Sequence, residues 1–279
     1  MLLFLILVGW VCQVWGGPLG KQKTSEIQFD EGYINSLSEN RLLPKNGEVV
    51  MEDVEDDAVL EGDILMPSDR NAVSELWPNV DGIVSVPYEI DFVLEDRIQE
   101  ITEALDMISD KTCITFYPRT IETDFIYFSY GQGCASSVGC VGGEQRIVVG
   151  EKCSAGNICH EILHALGLYH EHSRIDREKY ITILSENITP GKEKNFLPKD
   201  GNTLGLKYDM ESILHYGSNY FSSNGEPTIV PKDRSVTIGQ RIRLTALDVQ
   251  RIRRLYKCDG MLQGSQLSLP SHTRTTRRG

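Results

Sequence analysis

The sequence of 279 residues has few basic residues, no long apolar run after its first 16 residues, no C-x-x-C pair and no internal repeat. Its 28 Lys and Arg are outnumbered by 40 Asp and Glu, giving a net charge of −12. This balance argues against a nucleic-acid-binding protein, which needs a basic stripe. An apolar content of 40% excludes a disordered or collagen-like chain and suffices for one large domain or two small ones. The missing C-x-x-C spacing argues against a cysteine zinc site.

The segment Met1 to Gly16 is uncharged and apolar. Its run of about 14 apolar residues is shorter than the ~20 that a membrane-spanning helix needs, which disfavours the alternative of a membrane anchor. The segment therefore predicts a cleaved secretory signal peptide and a secreted, extracellular protein. Cys12 leaves with the signal, so six Cys remain for an oxidising compartment, an even number that favours three disulfides.

Charge and cysteine divide the rest of the chain into three parts. Residues 17–70 hold 13 acidic and five basic residues and no Cys, whereas 71–258 hold 26 acidic and 20 basic residues and all six remaining Cys. We predict an acidic propeptide over 17–70 and a catalytic domain over 71–258. Residues 259–279 are rich in Ser, Thr and Arg and predict a disordered tail.

The pattern of apolar residues in 71–258 predicts a mixed α+β domain. Helical spacing predicts a helix over Glu95 to Ser109, with Ile98 among its buried residues. Thr245 and Asp248 offer a capping pair for a last helix that runs to Cys258. Runs rich in β-branched and aromatic residues predict strands at Ile83 to Ile90, Cys113 to Tyr117, Asp124 to Tyr130 and Arg146 to Val149.

The segment from His160 to His170 carries the pattern H-E-x-x-H-x-x-G-x-x-H. On a helix, His160 and His164 lie on one face one turn apart and can bind a single Zn²⁺. Glu161 then lies beside the metal, where it can take a proton from a zinc-bound water whose pKa is about 7. Gly167 permits the helix to end and His170 to become a third ligand. Three protein ligands with one open position are typical of a catalytic zinc site.

Chance is the alternative explanation for two His four residues apart, because such pairs occur on many helices. The longer pattern fixes five residue types across 11 positions. In a secreted chain it therefore favours one catalytic zinc ion over a coincidence.

The continuation H-E-x-x-R-x-D-R, which runs through Glu171, Arg174 and Arg177, resembles the astacin family of metzincin endopeptidases. The resemblance covers 71–258. It implies a two-lobed fold, with a twisted sheet and helices above, a mostly irregular half below, and zinc in the cleft between them. It also implies that His160, His164 and His170 bind the zinc and that Glu161 is the general base.

A second stretch, Ser212-Ile213-Leu214-His215-Tyr216, is similar to the family's Met-turn S-x-M-H-Y, with Leu214 in place of the usual Met. The resemblance implies that Tyr216 is a movable further zinc ligand that hydrogen-bonds the oxyanion of the tetrahedral intermediate. An ordinary core tyrosine is the alternative. Replacing Met by Leu usually costs less than about 1.5 kcal/mol, so we expect the change to be tolerated.

The acidic segment contains Leu60-Glu61-Gly62-Asp63, which resembles the F-x-G-D signature of astacin propeptides. The resemblance implies that Asp63 binds the zinc where the catalytic water would lie, as a carboxylate can; a simple turn is the alternative. A trypsin-like protease could cut after Arg70. The resemblance implies that the new amino terminus at Asn71 then pairs with Glu171, whose alternative role is that of a plain surface carboxylate.

Six Cys allow 15 pairings, among which the sequence alone does not choose. The resemblance implies Cys113 with Cys258 and Cys134 with Cys153, which leaves Cys140 and Cys159 as a third pair outside the usual pattern. We hypothesise that this added bridge braces the start of the zinc helix. Asn187 begins an N-glycosylation sequon, Asn-Ile-Thr.

These observations predict a secreted, monomeric zinc metalloendopeptidase made as a zymogen and activated by a trypsin-like protease. Its substrates are expected to be proteins of the extracellular matrix or egg envelope, with no nucleic-acid partner and no membrane anchor. A descendant that binds such proteins without cleaving them is the alternative. The intact Glu161 argues against it, because a binding protein has no need of that base.

Overall fold

The structure is a computed structural model that describes residues 59–66 and 75–259. The predicted signal peptide, most of the predicted propeptide, the Arg70–Asn71 bond and the tail from residue 260 onward lie outside the described residues. Within the described ranges, no helix combines the length and the apolar character needed to cross a bilayer.

The described chain contains a large mixed sheet, a small second sheet and three α-helices. The strands are β1 (Val59–Leu60), β2 (Ile64–Leu65), β3 (Asn79–Val80), β4 (Ile83–Ile90), β5 (Ile114–Pro118), β6 (Phe125–Tyr130), β7 (Cys134–Ser136), β8 (Glu144–Val149), β9 (Ile181–Ile183) and β10 (Ile229–Pro231). The helices are α1 (Ile98–Ser109), α2 (Ala155–Ala165) and α3 (Ala246–Leu255). Short 3-10 turns lie at Phe92–Arg97, Glu171–Ser173, Arg177–Lys179, Ser185–Asn187 and Glu193–Phe196.

The large sheet includes two short strands from the segment 59–66, which lies in the predicted propeptide. Its strand order is β1-β2-β7-β8-β6-β4-β3, and β5 also pairs with β4. Strand β6 runs parallel to β4 and β8, whereas β7 runs antiparallel to β8. Strand β2 adds to β7 in parallel, with Ile64 opposite Ser136. The segment 59–65 therefore adds two strands to a sheet edge, through backbone hydrogen bonds.

The predicted elements are confirmed in type and nearly in extent. The first predicted helix begins as a 3-10 turn, interrupted by non-helical dihedral angles at Leu94, and becomes α-helical only at Ile98. Ile98 is 45% exposed instead of buried, because it occupies the first position of α1, while Ile101, Leu105 and Ile108 face the core. The Thr245–Asp248 capping box that opens α3 is present as predicted.

Two apolar clusters divide the described domain. The upper cluster lies between the large sheet and the helices and includes Trp77, Phe128 and Leu163. The lower cluster is formed mainly by residues outside regular secondary structure and is rich in aromatic rings, with Phe196 and Tyr216 among them. Regular structure in this lower part is confined to the β9–β10 pair and short turns. This arrangement agrees with the predicted α+β fold of two lobes.

Two of the three predicted disulfides are present, Cys113–Cys258 and Cys134–Cys153. The third prediction is wrong, because Cys140 and Cys159 are both free thiols.

The two free thiols are held in different surroundings. The backbone of Cys140 bridges to Glu75 at the edge of the fold, whereas Cys159 points from α2 into the upper cluster, near Asp248. Burial raises the pKa of the Cys159 thiol far above its usual range. Because the two cysteines are not paired, the hypothesis that a disulfide braces the start of the zinc helix is wrong.

Candidate metal centre

Helix α2 is fixed at both ends by local sequence. Ser154 and Asn157 form a capping box at its start. Gly156 allows the first turn to approach the backbone of Arg241 so closely that a Cβ there would lie 1.9 Å from the Arg241 carbonyl oxygen. At the other end Gly167 has a φ of +97°, and the backbone bonds Leu168 N to Leu163 O and Gly167 N to His164 O form a Schellman motif.

The turn at Gly167 brings the three predicted ligands together. The Nε2 atoms of His160, His164 and His170 lie 3.0 to 3.2 Å from one another, and all three side chains are buried. Zn–N bonds of 2.0–2.1 Å in a tetrahedral site separate neighbouring ligand atoms by about 3.3 Å. The predicted convergence of the three His is therefore confirmed, with spacing that suits one zinc ion.

A hydrogen bond from Nδ1 orients each of the three imidazole rings. The Nδ1 of His160 donates to the carbonyl of Ile213 at 2.7 Å, and that of His164 donates to the carbonyl of Leu168 at 2.6 Å. The Nδ1 of His170 donates to Glu61 Oε2 at 2.5 Å. Because every Nδ1 has an acceptor, each Nε2 presents a lone pair to the same point, as metal-binding His usually do.

Asp63, from the β1–β2 hairpin, completes the cluster. Its Oδ2 lies 3.3 Å from His160 Nε2 and 3.1 Å from His170 Nε2. Burial lowers the pKa of His160 to about 4; burial alone would raise the pKa of Asp63, but the charge of His170 and hydrogen bonds hold it well below its usual value. Burial would lower the pKa of His170, but the charge of Asp63 and hydrogen bonds to Asp63 and Glu61 raise it to about 9. Neutral imidazoles and an ionised carboxylate are the forms that bind zinc, so binding of the metal would release the proton from His170. The four side chains Asp63, His160, His164 and His170 therefore fit one zinc ion.

Glu161 lies on the same helix as two of the ligands but is not one of the four. Its side chain is buried, and its Oε2 has no hydrogen-bond partner within the described ranges. Burial, followed by the nearby charge of Asp63, raises the pKa of this carboxyl well above its usual value. A carboxyl with a raised pKa and an unengaged oxygen beside a metal cluster is suited to proton transfer.

Tyr216 lies against the metal cluster. Its ring is buried, stacks on His172 at 3.6 Å between centroids, and approaches the ring of His170 at 4.7 Å. Its hydroxyl donates a hydrogen bond to the backbone carbonyl of Glu61. The structure thus brings Tyr216 to the site, while its role as a zinc ligand stays a prediction.

Glu61 is a site residue that the sequence analysis missed. It begins the turn of the β1–β2 hairpin, where Glu61 and Gly62 both have positive φ values, 52° and 77°. Its carboxylate binds His170 through Oε2, and its Oε1 lies 2.9 Å from Lys199 Nζ in an ion pair. Burial would raise its pKa, but the hydrogen bond and the charge of His170, with other nearby cations, lower it to about 2. In the sequence, only its position between Leu60 and Gly62 in the motif indicated that Glu61 lies near the site.

Glu171 is buried in an ionic network, so the alternative of a plain surface carboxylate is wrong. Its Oε2 pairs with Arg251 Nη2 at 2.7 Å. Its Oε1 accepts from the backbone N–H of Asp209 at 2.7 Å and from Arg174 at 3.2 Å. The predicted pairing with the new amino terminus involves residues 71–74, which lie outside the described residues.

Asp248 ties the Met-turn to helix α3. It accepts from Ser212 Oγ at 2.6 Å and from the backbone N–H of Ile213 at 3.1 Å, while it also caps α3. The carbonyl of Ile213 in turn orients His160. Leu214 is fully buried in the upper cluster at the position of the usual Met. Sequence analysis identified the cap but not this second role of Asp248.

Asn187 is half-buried in the lower part of the fold. Its Nδ2 donates to the carbonyl of Pro227 at 2.7 Å, and its Oδ1 accepts from Asn224 at 2.8 Å. Its glycosylation stays a prediction.

A mixed sheet above a helix that carries two of three converging His defines a metzincin-type zinc site. The family model described as Astacin, a peptidase family, matches residues 69–257. The chain belongs to the astacin family, as its motifs predicted.

Named relatives agree with this assignment. The chain is 40% identical over 207 residues to embryonic protein UVS.2 of Xenopus laevis, which covers 71% of this chain and 40% of that protein. It is 44% identical over 208 residues to an astacin-like metalloendopeptidase of Gallus gallus, covering 71% of this chain and 51% of the relative. The chain thus spans about half or less of the length of these relatives.

Among solved structures, the chain resembles high choriolytic enzyme 1 of the medaka Oryzias latipes, a hatching-enzyme zinc protease. The TM-score is 0.64 and the identity 39%, over 66% of this chain and 94% of that one. The described fold is therefore that of an astacin-family peptidase.

Proposed function

We propose that this protein is the secreted zymogen of a zinc-dependent endopeptidase that cleaves internal peptide bonds of extracellular or egg-envelope proteins. The observation that carries the proposal is the convergence of the three His Nε2 atoms and Asp63 Oδ2, with the carboxyl of Glu161 beside them. The fish relative described as a hatching-enzyme zinc protease supports the substrate class. The net charge of −12 argues against a nucleic-acid partner, and we further propose that the protein acts as a monomer.

The zinc would be held by His160, His164 and His170. When bound, it acidifies a water molecule and polarises the scissile carbonyl. Glu161 would take a proton from the attacking water and deliver it to the leaving amine, as a general base and acid does. The hydroxyl of Tyr216 donates a hydrogen bond to the oxyanion of the tetrahedral intermediate.

In the zymogen the propeptide hairpin blocks both of these steps. Asp63 occupies the position that water needs, and the carbonyl of Glu61 engages the hydroxyl of Tyr216. Latency therefore depends on one turn of three residues, Glu61, Gly62 and Asp63. Cleavage after Arg70 by a trypsin-like protease frees this turn to leave.

The new amino terminus at Asn71 would then join the buried network of Glu171. A buried ammonium needs an anionic partner, and the carboxylate of Glu171 already pairs with Arg251. The amino terminus would therefore share that carboxylate with the arginine, which links removal of the propeptide to the segment that follows His170.

The activity is tested with the full-length chain, loaded with zinc and treated with trypsin. Casein or gelatin should be cleaved after this treatment, and cleavage should disappear with a chelator or in Glu161→Gln. The surface variant Glu151→Gln is the matched control, because Glu151 is exposed. If the matured, zinc-loaded protein cleaves neither substrate, the alternative of a non-catalytic binding protein is favoured instead.

A further inference from the structure

Charge is distributed unevenly along the chain. Residues 241–279 hold nine basic and two acidic residues, whereas 1–240 hold 19 basic and 38 acidic residues. Six of the nine basic residues lie in 241–257, a described segment that contains helix α3 and a single acidic residue, the buried Asp248. A basic segment in an otherwise acidic protein is typical of a surface that binds a polyanion.

The C-terminal end of α3 presents a group of exposed cations. Arg253 and Arg254 lie in its last turn, and Lys257 follows in the turn that closes the helix, where its φ is 55°. Arg254 and Lys257 are exposed, and the side chain of Arg253 is 38% exposed. The disulfide between Cys113 and Cys258 ties this end of the helix to the segment before β5. The cations are therefore presented from a fixed support.

Two exposed lysines from other segments flank this end of the helix. The carbonyl of Lys111 accepts from Arg253 Nη1 at 3.2 Å. On the other side, Arg254 Nη1 donates to the carbonyl of Leu204 at 2.7 Å. Lys207 is three residues beyond Leu204, so their Cα atoms lie within about 11 Å of each other. The group is called the basic face below and consists of Lys111, Lys207, Arg253, Arg254 and Lys257.

Most of the basic face lacks a carboxylate partner. Among the described residues, Arg253 pairs with Asp259, whereas the other four cations of the face form no ion pair. Elsewhere in the described chain, Arg119 and Arg146 each pair with a glutamate. The helix dipole favours cations in the last turn of α3, but it does not account for lysines that come from other segments. The face therefore carries positive charge that the described chain leaves available to a ligand.

The chemistry of this face fits a sulfated glycan. Short clusters of Lys and Arg are typical of heparin or nucleic-acid binding, and guanidinium and ammonium groups bind the oxygens of such anions. The face is small and most of the chain is acidic, so a narrow linear polymer meets cations alone, whereas a flat anionic membrane would also meet the acidic surface. The extracellular location that we propose favours a glycan over a nucleic acid.

We propose that the basic face binds a sulfated glycosaminoglycan and so retains the matured enzyme in the extracellular matrix. Asp248, near the start of α3, contacts the Met-turn below the metal centre. Leu255, the last residue of the helix, lies about 10 Å farther along its axis, at about 1.5 Å per residue. Bound glycan therefore leaves the zinc site open. The inference rests on the proposed secretion of the protein and adds a retention site to its peptidase function.

The first test measures binding of a fluorescent heparin oligosaccharide to the matured, zinc-loaded chain. The wild type should bind at ~0.15 M NaCl, and the affinity should fall steeply as salt is added. The triple variant Arg253→Gln, Arg254→Gln, Lys257→Gln should bind at least about tenfold more weakly. The slope of log Kd against the logarithm of the salt concentration should fall by about 1 for each cation removed. No binding by the wild type at ~0.15 M NaCl would overturn the proposal.

A second triple variant is the matched control for net charge. Arg146→Gln, Lys152→Gln, Lys179→Gln also removes three exposed cations, but outside the basic face, and it should bind heparin as the wild type does. If both triple variants lose the same affinity, net charge and not the basic face is responsible, and the proposal is wrong.

A further variant separates binding from stability. Arg253 and Arg254 donate to backbone carbonyls, so their removal can lower stability. The side chains of Lys207 and Lys257 make no hydrogen bond within the described residues. Lys207→Glu combined with Lys257→Glu should therefore keep the Tm and the casein cleavage of the wild type and still weaken heparin binding by about tenfold or more. Unchanged heparin binding in this variant would overturn the proposal.

The remaining comparisons identify the partner and the part of the chain that binds it. A chain that ends at Asp259 should still bind heparin; if it does not, the tail holds the glycan and the basic face does not. Desulfated heparin should bind more weakly, and equal binding would contradict recognition of sulfate. Binding to phosphatidylserine vesicles or duplex DNA, with none to heparin, would overturn the proposal. A matured chain that binds heparin but cleaves no protein would count against the proposed peptidase function alone.

Discussion

Helix α2 and the β1–β2 hairpin both contribute ligand atoms to one metal cluster, but they are held in different ways. All 11 residues of α2 are buried, and both its ends are capped. The hairpin is held by two short strands at a sheet edge and by the polar contacts of Glu61 and Asp63. The two His ligands on α2 are therefore fixed by the core, whereas Asp63 is held by contacts that, on our proposal, cleavage after Arg70 would release.

Removal of a zinc ligand carried by α2 should have the largest effect. His164→Ala should lose bound zinc and reduce peptidase activity by ~10³-fold or more, as loss of a central catalytic group does. Zinc content by atomic absorption and casein cleavage measure the two effects. His272→Ala, in the tail, is the control. A His164→Ala protein that keeps both zinc and activity would contradict the assigned ligand set.

Removal of Asp63, in contrast, should raise the peptidase activity of the uncut protein. Full-length, uncut Asp63→Ala should be more active than uncut wild type, by more than the ~10-fold effect typical of an outer partner of a metal ligand. The measurement is peptide hydrolysis with trypsin omitted and the chain length checked by mass spectrometry. Asp69→Ala, in the same propeptide, should stay latent. No rise in Asp63→Ala would exclude Asp63 as the latency ligand.

The rigidity of α2 is tested at Gly156. Gly156→Ala places a Cβ 1.9 Å from the Arg241 carbonyl oxygen, so the helix start must shift, at a cost of about 1–3 kcal/mol in the free energy of unfolding. Thermal unfolding should show a lower Tm. Gly201→Ala is the matched control, because a Cβ at Gly201 meets no atom within 4 Å. Equal stability of the two variants would contradict the close approach.

A change that weakens the contacts of the β1–β2 hairpin but keeps Asp63 should partly activate the uncut protein. Glu61→Gln removes the charge that faces Lys199 and His170, and we expect the uncut protein to gain activity by a few-fold to about tenfold. The same trypsin-free assay measures it, with Glu55→Gln as control. If uncut Glu61→Gln is as active as uncut Asp63→Ala or more active, Asp63 is not the main cause of latency in the hairpin.

The smallest effect is expected at the Met-turn. Leu214 is fully buried, and Leu214→Met keeps a similar volume, so the free energy of unfolding should change by less than about 1.5 kcal/mol and zinc content should not change. Denaturant unfolding and metal analysis measure these. A large loss of stability would mean that this turn is packed for Leu.

The strands and the zinc helix could be predicted because their signals are local. A run rich in β-branched and aromatic residues predicted the strand at Ile83–Ile90 with its observed bounds. The glycine that ends α2 follows from its place between His164 and His170. Caps and periodicity depend on neighbours within a few residues, which the sequence contains directly.

The rest depended on contacts between distant residues. Glu61 reaches His170 across 109 residues, and no local pattern indicates such a contact. The pairing of Cys140 with Cys159 was predicted only because these two cysteines remained after the other pairs were assigned. The number of remaining cysteines does not indicate where the backbone places each thiol. Ile98 looked buried by spacing, but its exposure depends on where the preceding 3-10 turn ends.

The measurement that tests the account most directly is anomalous diffraction at the zinc edge from crystals of the full-length, zinc-loaded chain. The account predicts a single peak bound by the Nε2 atoms of His160, His164 and His170 and by a carboxylate oxygen of Asp63. Zinc bound elsewhere, or bound at the three His with Asp63 turned away, would contradict it.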